Sequence, residues 1–276
     1  VVGRGDEFKA FEAEGWSARA ATYGALSGAI TRRFAEPLLD AARVEHDQRV
    51  LDVATGPGYV AEMAAHRGAR PVGLDISEGM LVEARRRLPH VEFVAGDAEA
   101  LPFDDGSFDA VVGNFVINHL PNPATGIAEA ARVLVPGGAL AFSAWERPDR
   151  MLYLGLIGQA IEAAEVEDDE AAAGIPPGPD PYRFADEDQF QALLDGAGLS
   201  AVAVEEVEVV HAVTDTDALW DGFMGGSVRG SAFVRAQPES VQARIRDALE
   251  RVVEPYRFGD AIEIPAAARI GSGTTP

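Results

Sequence analysis

The stretch RVLDVATGPGYVA, residues 49–61, decides how the rest of the chain is read. An apolar run, RVLDVAT, gives way to a turn with two glycines, and the chain resumes as VAEMAAHRG with helical spacing. Gly56, Gly58 and Ala61 fit the pattern G-x-G-x-x-A. Glycine permits the tight turn and lets a ligand approach the backbone, and the helix amino terminus that follows favours an anionic group. By itself the pattern is equally an ordinary strand-to-helix turn with glycines for geometry. A second feature tips the balance. Asp75 ends the next apolar run, RPVGLDI, 19 residues beyond Gly56, where a carboxylate can accept both hydroxyls of a ribose.

Working outward, VEFVAGD, FDAVVGNF and GALAFSAWE continue the series of strands. The stretches EGMLVEARRRL and ATGIAEAARVL between them have helical spacing. Alternating strand and helix means parallel strands with crossover helices, hence an open, doubly wound α/β sheet. Residues 6–45 read as helices. After the helix MLYLGLIGQAIEAAE, the acidic and then proline-rich stretch 165–181 cannot continue a helix and reads as a loop or lid. DEDQFQALLDGAG and PESVQARIRDALERVVEPY read as helices, AVAVEEVEVVHAV and AIEIPAAARIGSG as strands. Two late strands added at the sheet edge, one of them antiparallel, make seven. The expectation is a single domain over 1–276.

Ligands of such sheets sit beyond the carboxyl ends of the strands. That edge carries Ala54–Gly58, Asp75–Ser77, Asp97–Glu99, Asn114–His119 and Trp145–Arg147. His46 and His90 precede strands and fall on the opposite edge.

Composition narrows the partners. Forty-five acidic residues against 23 basic leave a formal net charge of −22, and Lys9 is the single lysine. Such a chain repels polyanions, which disfavours nucleic acid and anionic membrane surfaces. The absence of Cys removes disulfides, thiolate metal sites and a cysteine nucleophile. No HExxH motif is present either, so no metal site is expected. No run reaches the ~18 apolar residues of a membrane span, and the amino end has no signal-peptide apolar region. A cytoplasmic location is the expectation; oligomeric state is left open.

Five motifs occur in order: RVLDVATGPG, DISEGML, G-D-A-x-x-L-P-F from Gly96 to Phe103, D-x-S-F-D from Asp105 to Asp109, and EAARVLVPGGAL. Over residues 15–146 the chain resembles class I S-adenosylmethionine-dependent methyltransferases, in particular the ubiquinone/menaquinone-biosynthesis-like small-molecule group. The resemblance implies a Rossmann-like methyltransferase sheet. Residues 1–45 would then be a helical lid, 46–150 a cofactor-binding core, and 151–276 substrate-cap helices and edge strands. It implies S-adenosyl-L-methionine as cofactor, S-adenosyl-L-homocysteine as its product, and a small-molecule acceptor.

Carried over position by position, Gly56 and Gly58 would pass beside the methionyl part of the cofactor, with Asp52 supporting the loop. Asp75 would take the ribose hydroxyls, Ile76 and Met80 would flank the adenine, and Asp97 and the Ala98 amide would meet its edge. The Asn114 backbone would lie near the amino-acid part. GWSARAATY resembles the family's lid helix and would place Tyr23 over the cofactor. Ala54 and Thr55 stand where the family usually has Gly and Cys, and Pro57 where it has a small polar residue.

His119 is the one histidine that strand direction places at the reacting edge. An imidazole there can deprotonate a hydroxyl nucleophile near neutral pH, and packing beside Pro121 is the competing role. His66 and His211 read as structural. Phe115, Trp145, Tyr153, Tyr182, Phe184, Trp220, Phe223 and Met224 are candidate substrate walls. The activity implied is methyl transfer to the O, N or C atom of a small molecule. The alternatives are a non-methylating role on the same cofactor-binding fold and an NAD-type oxidoreductase, which leaves G-D-A-x-x-L-P-F unexplained.

Overall fold

A computed structural model describes residues 4–167 and 169–276; Val1–Gly3 at the amino end and Asp168 within the 165–181 stretch lie outside the described residues. Three helices come first: α1 (Arg4–Arg19), α2 (Ser27–Thr31) and α3 (Ala35–Ala41). Then β1 (Arg49–Val53), α4 (Tyr59–His66), β2 (Arg70–Asp75), α5 (Glu78–Arg87), β3 (Glu92–Ala95), β4 (Phe108–Gly113), α6 (Pro123–Arg132) and β5 (Leu134–Trp145) alternate. The remainder is α7 (Leu152–Ala163), α8 (Glu187–Gly196), β6 (Ser200–Val213), α9 (Thr216–Gly226), α10 (Arg229–Ala236), α11 (Glu239–Val252), β7 (Arg257–Phe258) and β8 (Ala261–Thr274).

The sheet order is β3-β2-β1-β4-β5-β8-β6. β1 pairs in parallel with β2 and β4, as do β2 with β3 and β4 with β5. Neighbouring residues of β1 feed opposite faces: Leu51 packs with Leu74, Phe108 and Phe142, and Val50 with Leu38, Leu39 and Val60. That double burial is why the central strands read as continuous apolar runs.

The antiparallel member is β8, which pairs with β5 from Ala139↔Thr274 to Trp145↔Ala268 and with β6 out to Val213↔Ile262. It lies one place in from the rim, and β6 is the outer strand. Sequence explains the order: β8 carries Ala266, Ala267 and Ala268, all buried, whereas the burial of β6 rises and falls along an exposed ribbon. The two-residue β7 pairs with β8 and brings the count to eight, where seven strands are expected from the sequence.

The amino-terminal segment differs from a plain helical reading. Residues 20–42 break into 3-10 turns at Tyr23–Ala25 and Arg32–Phe34 around α2, so that Leu26, Ile30 and Phe34 enter the core. Tyr23 therefore stands on a turn beyond α1 and not on a lid helix. Helices α9 and α10 have no counterpart in the sequence reading, because Gly222, Gly225, Gly226 and Gly230 weaken the helical signal. Packing overrides propensity there: a Cβ at Gly222 would collide with Leu26, and one at Gly226 with Ser27.

Side-chain caps start three helices. Ser77 accepts from Met80 N, Asp186 from Gln189 N and Asp215 from Ala218 N. The acidic, proline-rich stretch is fastened at several points: Ile175 is buried, Arg229 donates to Pro179 O and pairs with Glu170, and Asn118 Nδ2 donates to Pro181 O. Among the described residues, no helix is long and apolar enough to cross a membrane.

Candidate active site

A cavity of about 960 Å³, its open mouth included, lies beyond the carboxyl ends of β1 to β5 under α1. Its floor is the turn after β1. Ala54, at φ +55°, takes the left-handed backbone that glycine adopts freely, which gives the family's usual Gly at this place a physical reason. Gly56, at φ +53°, has nothing within 4 Å of where a Cβ would stand, so its backbone lies bare to an approaching ligand.

Asp52 does not line the cavity. It is buried beneath the loop, where its Oδ2 accepts from Thr55 Oγ1 (2.6 Å) and from Ala61 N (3.1 Å). Burial pushes this carboxyl up to about 7, against the pull of those donors. Gly58, expected beside a ligand, does not line the cavity. At φ +84° it starts α4, and a Cβ there would meet Leu88 and Phe93; its task is helix packing.

Asp75 is 6% exposed and lines the cavity. Gly56 N donates to its Oδ2 and Ser77 N to its Oδ1, each at 2.8 Å. Burial raises the carboxyl to about 6, although the backbone donors pull the other way. Each oxygen keeps further acceptor capacity. Beside it, Met80 is buried and Ile76 is 42% exposed, and both line the cavity.

Asp97 and Ala98, after β3, line the cavity as well. The sequence did not reveal what holds Asp97. Lys9, on α1, donates to Asp97 Oδ2 and Glu99 Oε2, both at 2.7 Å, while Glu99 accepts from Asn122 N. The single lysine thus fastens α1 to the loops after β3 and β4.

The strand-four side is built on Asn114, whose Nδ2 donates to Thr31 O and whose Oδ1 accepts from Ser143 Oγ. Phe115, at φ +60°, stacks on Trp145 with ring centroids 3.9 Å apart. With Tyr153 they line the cavity. Of the other expected wall residues, Tyr182, Phe184, Trp220, Phe223 and Met224 do not line it; they are core or pack against it. Tyr23 lines the cavity, its hydroxyl 3.1 Å from Thr31 Oγ1, and burial pushes it up to about 12.

His119 lines the cavity with its side chain 31% exposed. Nδ1 lies 2.9 Å from Glu12 Oε2, and the ring meets Trp16 edge-on at 5.6 Å. Trp16 Nε1 donates to the same Glu12 oxygen at 2.9 Å. Glu12 and Trp16, like Lys9, come from α1 and escaped the sequence reading. A signal existed: Lys9, Glu12 and Trp16 are spaced i, i+3 and i+7 along one helix face.

A parallel α/β sheet with one reversed strand carries, at its carboxyl edge, a bare-backbone turn after β1 and a buried carboxylate ending β2, the place where ligands of such sheets sit. Residues 51–142 match the family described as a methyltransferase domain. A demethylmenaquinone methyltransferase of Renibacterium salmoninarum is 41% identical over 146 residues, covering 51% of this chain and 62% of that protein. Another of that name, from Paenarthrobacter aurescens, is 35% identical over 185 residues, covering 63% of this chain and 70% of its own. The chain belongs to the methyltransferase family. In fold it is similar to phosphoethanolamine N-methyltransferase 2 of Haemonchus contortus, solved with phosphomonomethylethanolamine and S-adenosylhomocysteine. The TM-score is 0.55 at 16% identity, over 88% of this chain and 53% of that one.

Proposed function

We propose that this chain transfers a methyl group from S-adenosyl-L-methionine to a small molecule with a flat, apolar body. The observation that carries the cofactor assignment is Asp75, a buried cavity carboxylate tied through Gly56 N to the bare turn after β1. Its spare lone pairs suit two ribose hydroxyls. Ile76 and Met80 offer apolar surface for the adenine, Asp97 and Ala98 meet its edge, and the Asn114 backbone lies toward the amino-acid part. When bound, the cofactor supplies an electrophilic methyl on a positively charged sulfur and leaves as S-adenosyl-L-homocysteine.

The chain's own work is then placement and exclusion of water. Helix α1 closes the cavity from above, held by Lys9 on Asp97 and Glu99. The stacked pair Phe115 and Trp145, with Leu120 and Val116, gives a flat acceptor a wall to lie against. Alignment of two bound reactants in a dry site supplies most of what a displacement needs. The net charge of −22 supports a small molecule over nucleic acid. The relatives' name, a demethylmenaquinone methyltransferase, supports an apolar ring as acceptor.

Incubation of the protein with methyl-labelled cofactor and a small-molecule extract tests this. The expected result is one or a few apolar products carrying the labelled methyl group. Label incorporated only into nucleic acid, or not at all while the cofactor binds, contradicts it.

A further inference from the structure

Glu12 is an acidic side chain of the cavity wall that cofactor binding leaves without a task. It is 4% exposed, its Oε1 is buried with no hydrogen-bond partner, and its Oε2 receives Trp16 Nε1 and faces His119 Nδ1. An ionised carboxylate with one bare oxygen is costly to bury unless a positive charge can form beside it. Arg19 acts on Glu12 through space but spends its donors on Ser231 and Gly15, so His119 is the group placed to supply that charge within hydrogen-bond distance.

We propose that Glu12 positions His119 as the proton acceptor for an aromatic hydroxyl, so that the acceptor compound is methylated on oxygen. This rests on the methyl-transfer reading and names its substrate class. With Nδ1–H donated to Glu12, the lone pair of the neutral ring lies on Nε2. The hydroxyl proton passes to Nε2, the oxygen lone pair forms the new O–C bond, and the electron pair of the broken S–C bond stays on sulfur. Glu12 then faces an imidazolium across the 2.9 Å contact, a hydrogen-bonded charge that Arg19, which reaches Glu12 only through space, does not supply. The proton leaves to water afterwards.

The other charged groups of the cavity do not compete for this role. Lys9 is taken by Asp97 and Glu99, and Asp75 is held by the Gly56 and Ser77 amides. Three carboxylates line the cavity, and the one lysine there is neutralised, so the chemistry favours an uncharged hydroxyl compound over a phosphate or carboxylate. Phe115 stacked on Trp145 adds the preference for a ring.

The test uses catechol as hydroxyl probe and aniline as amine probe, with wild type, Glu12→Gln, His119→Gln and the double variant. Glu12→Gln keeps an oxygen that accepts from Nδ1–H and Trp16 but removes the charge. Its kcat with catechol should fall at least about 10-fold, a part of the ~10²–10⁴-fold that a positioned base contributes. KM and the affinity for S-adenosylhomocysteine should stay within about twofold, and 15N NMR should show the His119 proton on Nδ1 in both forms. The double variant should lose no more than His119→Gln alone, because the two residues act as one unit. Additive losses, an unchanged pH–rate profile in Glu12→Gln, or transfer to aniline with none to catechol would overturn the proposal. Failure of S-adenosylhomocysteine to bind wild type is a separate result, which removes the methyl-transfer reading itself.

Discussion

His119→Gln should lower turnover about 10²–10⁴-fold with a hydroxyl acceptor, the range typical of a positioned general base. Gln has similar reach and still hydrogen-bonds, but it cannot take a proton near pH 7. His119 reaches the cavity from the 3-10 turn after β4, whereas Asp75 ends β2, so replacing His119 should leave the proposed ribose partners in place. Cofactor affinity should therefore stay nearly constant. A base at this place gives the wild type an acid limb in its pH–rate profile that the variant lacks. A pH–rate profile of both forms decides the matter. Full activity with the same acid limb would leave His119 only its contacts with Glu12 and Trp16.

Asp75→Ala should weaken cofactor binding roughly a hundredfold or more. A carboxylate accepting two hydroxyls loses both, and charge-assisted bonds are worth about 1.5–3 kcal/mol each. The turn after β1 suffers too, because Gly56 N loses its acceptor. Folding should change far less, since burial raises this carboxyl to about 6 and its ionised form therefore carries a desolvation cost. The sign follows from proton linkage. Below the unfolded value of 3.8 both states are protonated; as pH rises to about 6 the unfolded chain gives up its proton first, and the fold loses stability over that window. Ala removes that term, so the variant should show a shallower decline, the part due to Asp52, raised to about 7, remaining. Cofactor affinity of the wild type should fall as pH drops through about 6, where protonation withdraws the acceptors. Calorimetry at pH values on both sides of 6, paired with thermal melts, reads all of this. An unchanged dissociation constant in the variant would reduce Asp75 to a partner of Ser77 N at the start of α5.

What the sequence made legible follows a physical rule. Residues that end strands are fixed in space by the strand itself, so Gly56, Asp75, Asp97 and Asn114 were readable from apolar runs and strand direction alone. Glu12, Lys9 and Trp16 share one face of α1 by spacing, but what that face meets depends on how α1 docks, a tertiary event that the spacing does not settle. Gly58 satisfied a ligand-loop pattern while answering to a different need, the close packing of α4 on Leu88 and Phe93. Tyr23 reaches the cavity as expected but from a turn, since Leu26, Ile30 and Phe34 must enter the core around it. Pairing order was legible only in part: both late strands were visible, yet the inner place of β8 depends on its small, doubly buried residues. The glycines of α9 and α10 hid helices that packing against Leu26 and Ser27 stabilises.

The central claim is that the cavity over Gly56 and Asp75 holds a sulfonium nucleoside. Titration calorimetry of the protein with S-adenosyl-L-methionine, S-adenosyl-L-homocysteine and NAD addresses it most directly. The first two should bind with micromolar affinity or tighter and NAD not at all; micromolar affinity for NAD with none for either sulfur compound would overturn the claim.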